Sequence, residues 1–450
     1  MVKLASEFVH NLRYEDIPDA VLAVMRRSLL DTIGVAAIGS TTRMGGIVRE
    51  FARSHMAAAN NGPASRLLFS GQTLSPMGAA MAGAFAIDSI DAHDGYSKVK
   101  GHAGSGVLPA VLAVVDDLRR QGRKVSGRDL LVALTIAYEV AYRSGLCMHG
   151  TVPDYHTSGA WTAVGAAAAA ARLLGLDQNQ IRHAMGIAEY HGPRSQMMRC
   201  IDHPTMVRDG VGWGSPAGVS AAYMAQLGFT GAPAITTEGA EAAPYWTDLG
   251  TRWEVSNTHY KAYPGCRWAH PAIDAVQDLM RDHKLTSRDI ARARIKTFHY
   301  ATRLAGHAPK TVDELTYALA YPFAIMAVHG EIGPRQLQES ILHDAEVLRI
   351  SKATELVDDE HYTRISIDKR WADVTLYLKD GREIQSPART PRGDPDNPLS
   401  DQEISDKFHL LADEIIGAPR ARDIERRVAQ VCGLDFDLDA WLFLIFSAPQ

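Results

Sequence analysis

Cysteine is scarce: Cys147, Cys200, Cys266 and Cys432 are the only four in 450 residues, and no two form a CxxC pair. That spacing excludes a disulfide framework and a zinc knot. Charge of one sign is lacking too. A net charge of −5 over 450 residues offers nothing to nucleic acid or to an anionic membrane surface. The longest alanine-rich run, GAAAAAARLLGL, is interrupted by Arg172 and too short to span a bilayer. The opening segment MVKLASEFVHNLRYEDIP has neither the basic nor the apolar region of a secretory signal, so a cytoplasmic protein is expected. No Walker loop, no GxGxxG after a strand, no GxSxG elbow and no HExxH occurs. What remains is an ordinary globular composition, 46% hydrophobic and 22% charged, in a chain long enough for two domains. A small-molecule ligand is the expected partner.

One stretch stands out against this background. Between the apolar segments MGAAMAGAFAI and VLPAVLAVVDDL lies AIDSIDAHDGYSKVKGHAGSG, which holds Asp88, Asp91, His93, Asp94, Lys98, Lys100 and His102. Charges set between buried segments need partners, because burying them unpaired is costly. Two readings follow: a structural knot of ion pairs, or an active site whose pKa values are tuned by partial burial.

Around this stretch the periodicity is helical. Apolar residues recur at helical spacing from Asp19 to Gly39, and Glu50–Ala59 reads as a shorter helix. Helices are expected at Leu108–Leu118, at Leu130–Leu146 behind start signals at Ser126 and Asp129, and at Gly159–Leu174. Another is capped at Asp177, and one more runs from Pro216 to Leu227. Beyond residue 240 the pattern shifts. Ala293–His299 and the segment from Arg364 alternate as strands, and Asp380-Gly381 marks a hairpin turn. Leu315–Val328 and Pro334–Leu342 read as helices between them, and the tail from Asp401 to Phe446 is helical again.

Three further segments concentrate polar residues. DYHTSGAW sets His156 ahead of the alanine-rich helix, MVRDGVGWGSPAG carries Arg208 in a glycine-rich loop, and KAYPGCRWAHPAID gathers Lys261, Tyr263, Cys266, Arg267 and His270 where the pattern changes. Tyr317 and Tyr321 lie on an apolar helix and read as core. Scattered acids, imidazoles and cations without a cofactor signature suit proton abstraction beside a carboxylate, with cations holding an anionic substrate.

In this order, LLDTIGVAAIG, AIDSIDAHDG, GHAGSGVLPAVLA, YHTSGAWTAVGAAAAAARLLGL, MVRDGVGWG and KAYPGCRWAHPAIDA resemble the MmgE/PrpD family across nearly the whole chain. The resemblance implies a mainly α protein with an α+β part. A large all-helical domain would be built from residues 1–264 and 393–450, with a smaller α+β lid domain inserted at 265–392, in a homodimer. It implies catalytic roles for Asp91, His102, His156, Lys261 and Tyr321, with Arg208, Cys266, Arg267, Lys100 and Asp94 binding substrate. The family pattern is departed from in four places: His102-Ala103-Gly104 stands for an HPS tripeptide, Gly95 for a common Thr, Cys266 for a His, and Arg208 at or beside a Lys. The implied activity is a lyase without cofactor or metal, acting on a small di- or tricarboxylate. Dehydration of a 2-methylcitrate-like acid is the first expectation. Decarboxylation, as of cis-aconitate, or epimerisation of a substituted succinate are the alternatives. A non-catalytic metabolite-binding protein on the same scaffold is the reading from another class.

Overall fold

The computed structural model describes residues 4–304 and 306–449. Its architecture is mainly α with an α+β part, organised around two hydrophobic cores. The first core draws on residues 5–260 and again on 399–446. The second draws on 263–378 and on Met197, Cys200 and Ile201 of the short helix Met197–Asp202.

The helical core is centred on Gly159–Leu174, whose residues from Gly159 to Ala171 are all buried. Its alanines allow neighbouring backbones to come close. A β-carbon added at Gly165 would lie 2.3 Å from the carbonyl oxygen of Ala137, on the adjacent helix Gly127–Thr151. That adjacent helix is apolar and long enough to cross a membrane by composition, yet 94% of its most apolar window is buried within the protein. It starts where sequence signals predict, with Ser126 and Asp129 capping one another. The Asp177 start is likewise a reciprocal cap with Gln180. Other boundaries shift. The helix expected at 50–59 runs from Arg43 to His55, because the Thr42 side chain accepts from the Gly45 N–H and starts it about two turns earlier. The one expected from Pro216 begins at Val211 and carries the proline inside.

In the second unit a four-stranded sheet has the order β4-β3-β5-β6, with β3 at Ile290–Thr297, β4 at Thr354–Asp358, β5 at Ala372–Leu378 and β6 at Glu383–Gln385 (β1, Ser65–Arg66, and β2, Thr73–Leu74, pair in the helical part). Strands β3 and β4 are parallel, and the other pairs are antiparallel. The β5–β6 hairpin turns at Gly381, whose φ of 90° is open to glycine. Two helical expectations fail here. Leu315–Val328 is broken after Thr316 and resumes at Ala320, and Pro334–Leu342 is a pair of 3₁₀ turns. Helix Ala345–Lys352 and strand β4 went unread, since both are short, eight and five residues.

The chain then returns. Helix Asp401–Ile416 lies along Asp19–Gly39, and the buried ammonium of Lys407 donates to Asp31 Oδ1 and to the Ala92 carbonyl, each at 2.6 Å. A residue near the C-terminus thus braces the loop at 89–103.

Candidate active site

That loop connects helices Pro76–Asp88 and Gly104–Arg120 and forms one wall of a cleft. Asp91, Lys100 and His102 line it, together with Cys266, Arg267 and Tyr317 from the second unit. The backbone here is strained. Asp91 (φ 52°), Lys100 (φ 54°) and, one residue from the wall, Arg208 (φ 50°) are three of the six non-glycine residues with left-handed backbone among the described residues. Such conformations cost about 1–3 kcal/mol each and persist where the surroundings impose them.

At Asp91 the surroundings are explicit. Lys261, fully buried, donates to the Asp91 carboxylate and, at 2.8 Å, to its main-chain carbonyl. His102 is oriented from the other side: its Nδ1 lies 2.6 Å from the Asp94 carbonyl oxygen. A carbonyl only accepts, so Nδ1 carries the proton and Nε2 of the neutral ring keeps its lone pair. That Nε2 sits 3.9 Å from Asp91 Oδ1. Burial, reinforced by the Lys261 charge, pushes the His102 pKa down to about 3, which keeps the base free near neutrality.

A second layer holds these groups. Asp94 accepts from the Tyr138 hydroxyl at 2.6 Å and from the Gly104 N–H at 3.0 Å, at the start of the following helix. The His102 N–H donates to Ser158 Oγ at 2.9 Å, and the Ser158 hydroxyl donates in turn to Asp209. Asp209 is cleft-lining and buried, and burial beside Asp88 raises its pKa well above the usual carboxylate range. Burial likewise pushes Asp88 up to about 7 and Asp94 up to about 6.

His93 is fully buried, with both ring nitrogens lacking a hydrogen-bond partner and its ring edge-on to His102 at 4.5 Å. Ligating atoms of Asp91, His93 and His102 all lie within 4.8 Å of one another, the geometry that could hold a metal ion. On Asp91, however, Oδ1, the oxygen facing both rings, is already paired with the Lys261 ammonium.

Two of the four departures from the family pattern have a local reason. A β-carbon at Gly95 would stand 2.7 Å from both His102 Nδ1 and His259 Nε2, so no threonine fits while these rings keep their places. One at Gly104 would meet the Tyr138 hydroxyl at 2.5 Å, which leaves no room for the serine of an HPS tripeptide.

The expected site residues divide accordingly. Asp91, His102, Lys100, Cys266 and Arg267 share the cleft, while Lys261 and Asp94 stand directly behind it. Three lie elsewhere. His156 is turned away, its Nδ1 2.9 Å from the Asp154 carbonyl, because neighbouring Tyr155 takes the cleft side of an extended segment. Tyr321 donates to the Ile341 carbonyl at 2.7 Å, and Tyr317, in the break between the two helical pieces, lines the wall instead. Arg208 is committed to Thr316 Oγ1 (2.5 Å), Asp313 Oδ1 (2.8 Å) and the Ser89 carbonyl, so the cleft receives Asp209 and not Arg208. Sequence reasoning passed over His259, Tyr155, Asp209 and Arg370. His259 lies two residues before Lys261 and could have been suspected, whereas Arg370 carries no local signal.

The cleft is narrow, with a free volume of about 50 Å³. That suffices for a few ordered water molecules between the two walls.

Residues 3–248 match the family model of the MmgE/PrpD N-terminal domain, and residues 263–431 that of the MmgE/PrpD C-terminal domain. Among characterised proteins, the chain is similar to cis-aconitate decarboxylase of Aspergillus terreus, 25% identical over 470 residues that span 96% of this chain and 93% of the relative. It is also similar to the cis-aconitate decarboxylase of Homo sapiens, 24% identical over 435 residues (91% of this chain, 87% of the relative). The enzyme of the same name from Mus musculus is 24% identical over 436 residues, spanning 91% of this chain and 86% of the relative.

Proposed function

The chain belongs to the MmgE/PrpD family, and from that premise we propose that it is a lyase of small di- or tricarboxylates. Proton transfer at carbon would run through Nε2 of His102. The observation that carries this reading is the His102 geometry. Its Nδ1–H is tied to the Asp94 carbonyl, and its free Nε2 stands in a buried, cation-lined cleft beside an acid already neutralised by Lys261. Arg267 and Lys100 meet the substrate carboxylates, and the parting and closing of the two units admits the acid and excludes water.

Loss of carbon dioxide is the first reading, supported by the similarity to cis-aconitate decarboxylases. The carbon–carbon bond to one carboxylate breaks, and its electron pair passes into the conjugated system of the remaining acid. A proton then reaches carbon from the imidazolium of His102. The bound polyanion favours that charged form of a ring that is neutral at rest. Loss of water is the second reading, favoured by the same resting neutrality. A free Nε2 takes the proton from the carbon next to a carboxylate, and hydroxide leaves with a proton from the cleft.

Proton NMR in heavy water with cis-aconitate, citrate, 2-methylcitrate and substituted succinates tests both. The expected result is a new terminal-methylene signal from cis-aconitate with release of carbon dioxide. An olefinic signal from a citrate without carbon dioxide moves the assignment to dehydration, and exchange of a carbon-bound proton alone moves it to epimerisation. A melting-temperature shift without any reaction favours a binding protein and overturns the lyase.

A further inference from the structure

Beyond His102 and Asp91, the cleft contains two guanidinium groups whose hydrogen-bonding capacity is not used up. Arg267 belongs to the segment joining the two cores, and its side chain is only 8% exposed. It forms an ion contact with Asp394, Nη2 to Oδ1 2.6 Å, yet none of its Nε, Nη1 or Nη2 groups has an aligned acceptor. A guanidinium presents five N–H donors in a planar fork, and buried donors without acceptors are costly to keep. Arg370 comes from the second unit, just before strand β5. Its Nη1 donates to the carbonyls of Ser366, Ile367 and Lys369 at 3.0, 3.3 and 3.0 Å, and among the described residues no carboxylate pairs with it. Desolvation lowers the pKa of both groups, of the buried Arg267 and of the half-buried Arg370.

Charge counting points the same way. Asp91 is balanced by Lys261 and Asp394 by Arg267, while burial beside Asp88 disfavours the charged form of Asp209, the other acid on the cleft wall. Arg370 and Lys100 then remain on the cleft wall without an acidic partner among the described residues; the ammonium of Lys100 lies over the Tyr155 ring at 5.6 Å. A cleft with surplus positive charge and unused planar donors is built for an anion that carries more than one carboxylate.

We propose that Arg370 and Arg267 form a two-guanidinium receptor for a substrate carboxylate remote from the carbon served by His102, so that the protein selects acids with at least two carboxylates. The proposal rests on the lyase reading of the cleft. The distant carboxylate bridges Arg267 at the junction and Arg370 on the second unit, and so draws the walls together over the reacting end. An acid without that group neither fills the fork nor closes the cleft.

Calorimetric titration of the full chain with tricarballylate, succinate and butyrate, in the wild type and in Arg370→Gln, is the test, with Arg370→Lys as a second variant that keeps the charge. Wild-type protein is expected to bind the tri- and dicarboxylate and to bind butyrate only weakly. Arg370→Gln should weaken the first two by ~10–100-fold and leave butyrate unchanged, as expected for loss of charge-assisted hydrogen bonds. Arg370→Lys should fall between, since an ammonium lacks the fork. Equal weakening for all three acids, or tricarballylate affinity unchanged in Arg370→Gln, overturns the receptor. The lyase reading fails separately: selective binding without turnover of any acid leaves the receptor and removes the reaction. Unchanged turnover and affinity in both Arg370 variants removes the receptor and leaves the reaction.

Discussion

Lys261 is bound to Asp91 twice, at the carboxylate and at the main-chain carbonyl, and neither residue reaches solvent to any extent. One ammonium thereby fixes both the charge and the left-handed backbone of the residue facing His102.

Replacing Lys261 with Met leaves the Asp91 carboxylate buried and unpaired, and the expected cost is ~3–5 kcal/mol in urea unfolding. Adding Asp91→Asn removes the stranded charge, so the double variant should recover most of that stability while remaining inactive. A double variant no more stable than Lys261→Met would contradict the pairing.

His102→Gln should keep the fold and lower turnover by ~10²–10⁴-fold. It also changes the pH dependence of stability. The His102 pKa falls from 6.5 in the unfolded chain to about 3 in the folded one. Between these values the unfolded chain binds the extra proton, so stability drops as pH falls through that window. Removing the imidazole removes this share of the loss, and the variant should tolerate pH 4.5 better than wild type, relative to each at pH 7. Identical acid profiles would argue that folding leaves the His102 pKa unchanged.

Gly95→Ala is a test of packing at the base. The added carbon would press on His102 Nδ1 and His259 Nε2 at 2.7 Å and on the Gly101 carbonyl at 2.9 Å. Overpacking of this kind costs ~1–3 kcal/mol, and here it also displaces the histidine, so kcat should fall with stability. Gly46→Ala, inside helix Arg43–His55 with nothing nearer than 3.9 Å, is the control and should gain ~0.5–1 kcal/mol.

Tyr321→Phe removes one hydrogen bond to the Ile341 carbonyl and nothing from the cleft. Its expected signature is a loss of ~0.5–1.5 kcal/mol in thermal unfolding with turnover unchanged. A loss of turnover without loss of stability would return this tyrosine to the site.

The pairs just named show how far the sequence could be read. Asp91 and His102 were legible because charge between apolar helices has few explanations, Lys261 because polar residues gather where the helical pattern gives way, and the alanine-rich helix because small residues dominate Gly159–Leu174. The misplacements share one form. Tyr155 stands for His156 and Asp209 for Arg208, each off by one residue, and Tyr317 stands for Tyr321, off by about one turn. Composition picks out the segment, whereas the direction of a side chain depends on local dihedrals, a left-handed Arg208 or a helix broken after Thr316, that neighbouring elements impose. Arg370 reaches the cleft through the strand pairing of the second unit, and no local pattern announces that.

The contact of Lys407 with Asp31 and Ala92 bears on the order in which the protein can be made. A chain leaving the ribosome at ~5–20 residues per second exposes the loop at 89–103 long before residue 407 exists. Until that lysine arrives, Asp31 is an uncompensated acid in a core still lacking helices Asp401–Ile416, Ala418–Gln430 and Leu438–Phe446. The nascent protein is thus unfinished at its reactive centre until Lys407 emerges, and a product terminated near residue 400 would hold every cleft-lining residue named here yet lack the brace that keeps the loop in place.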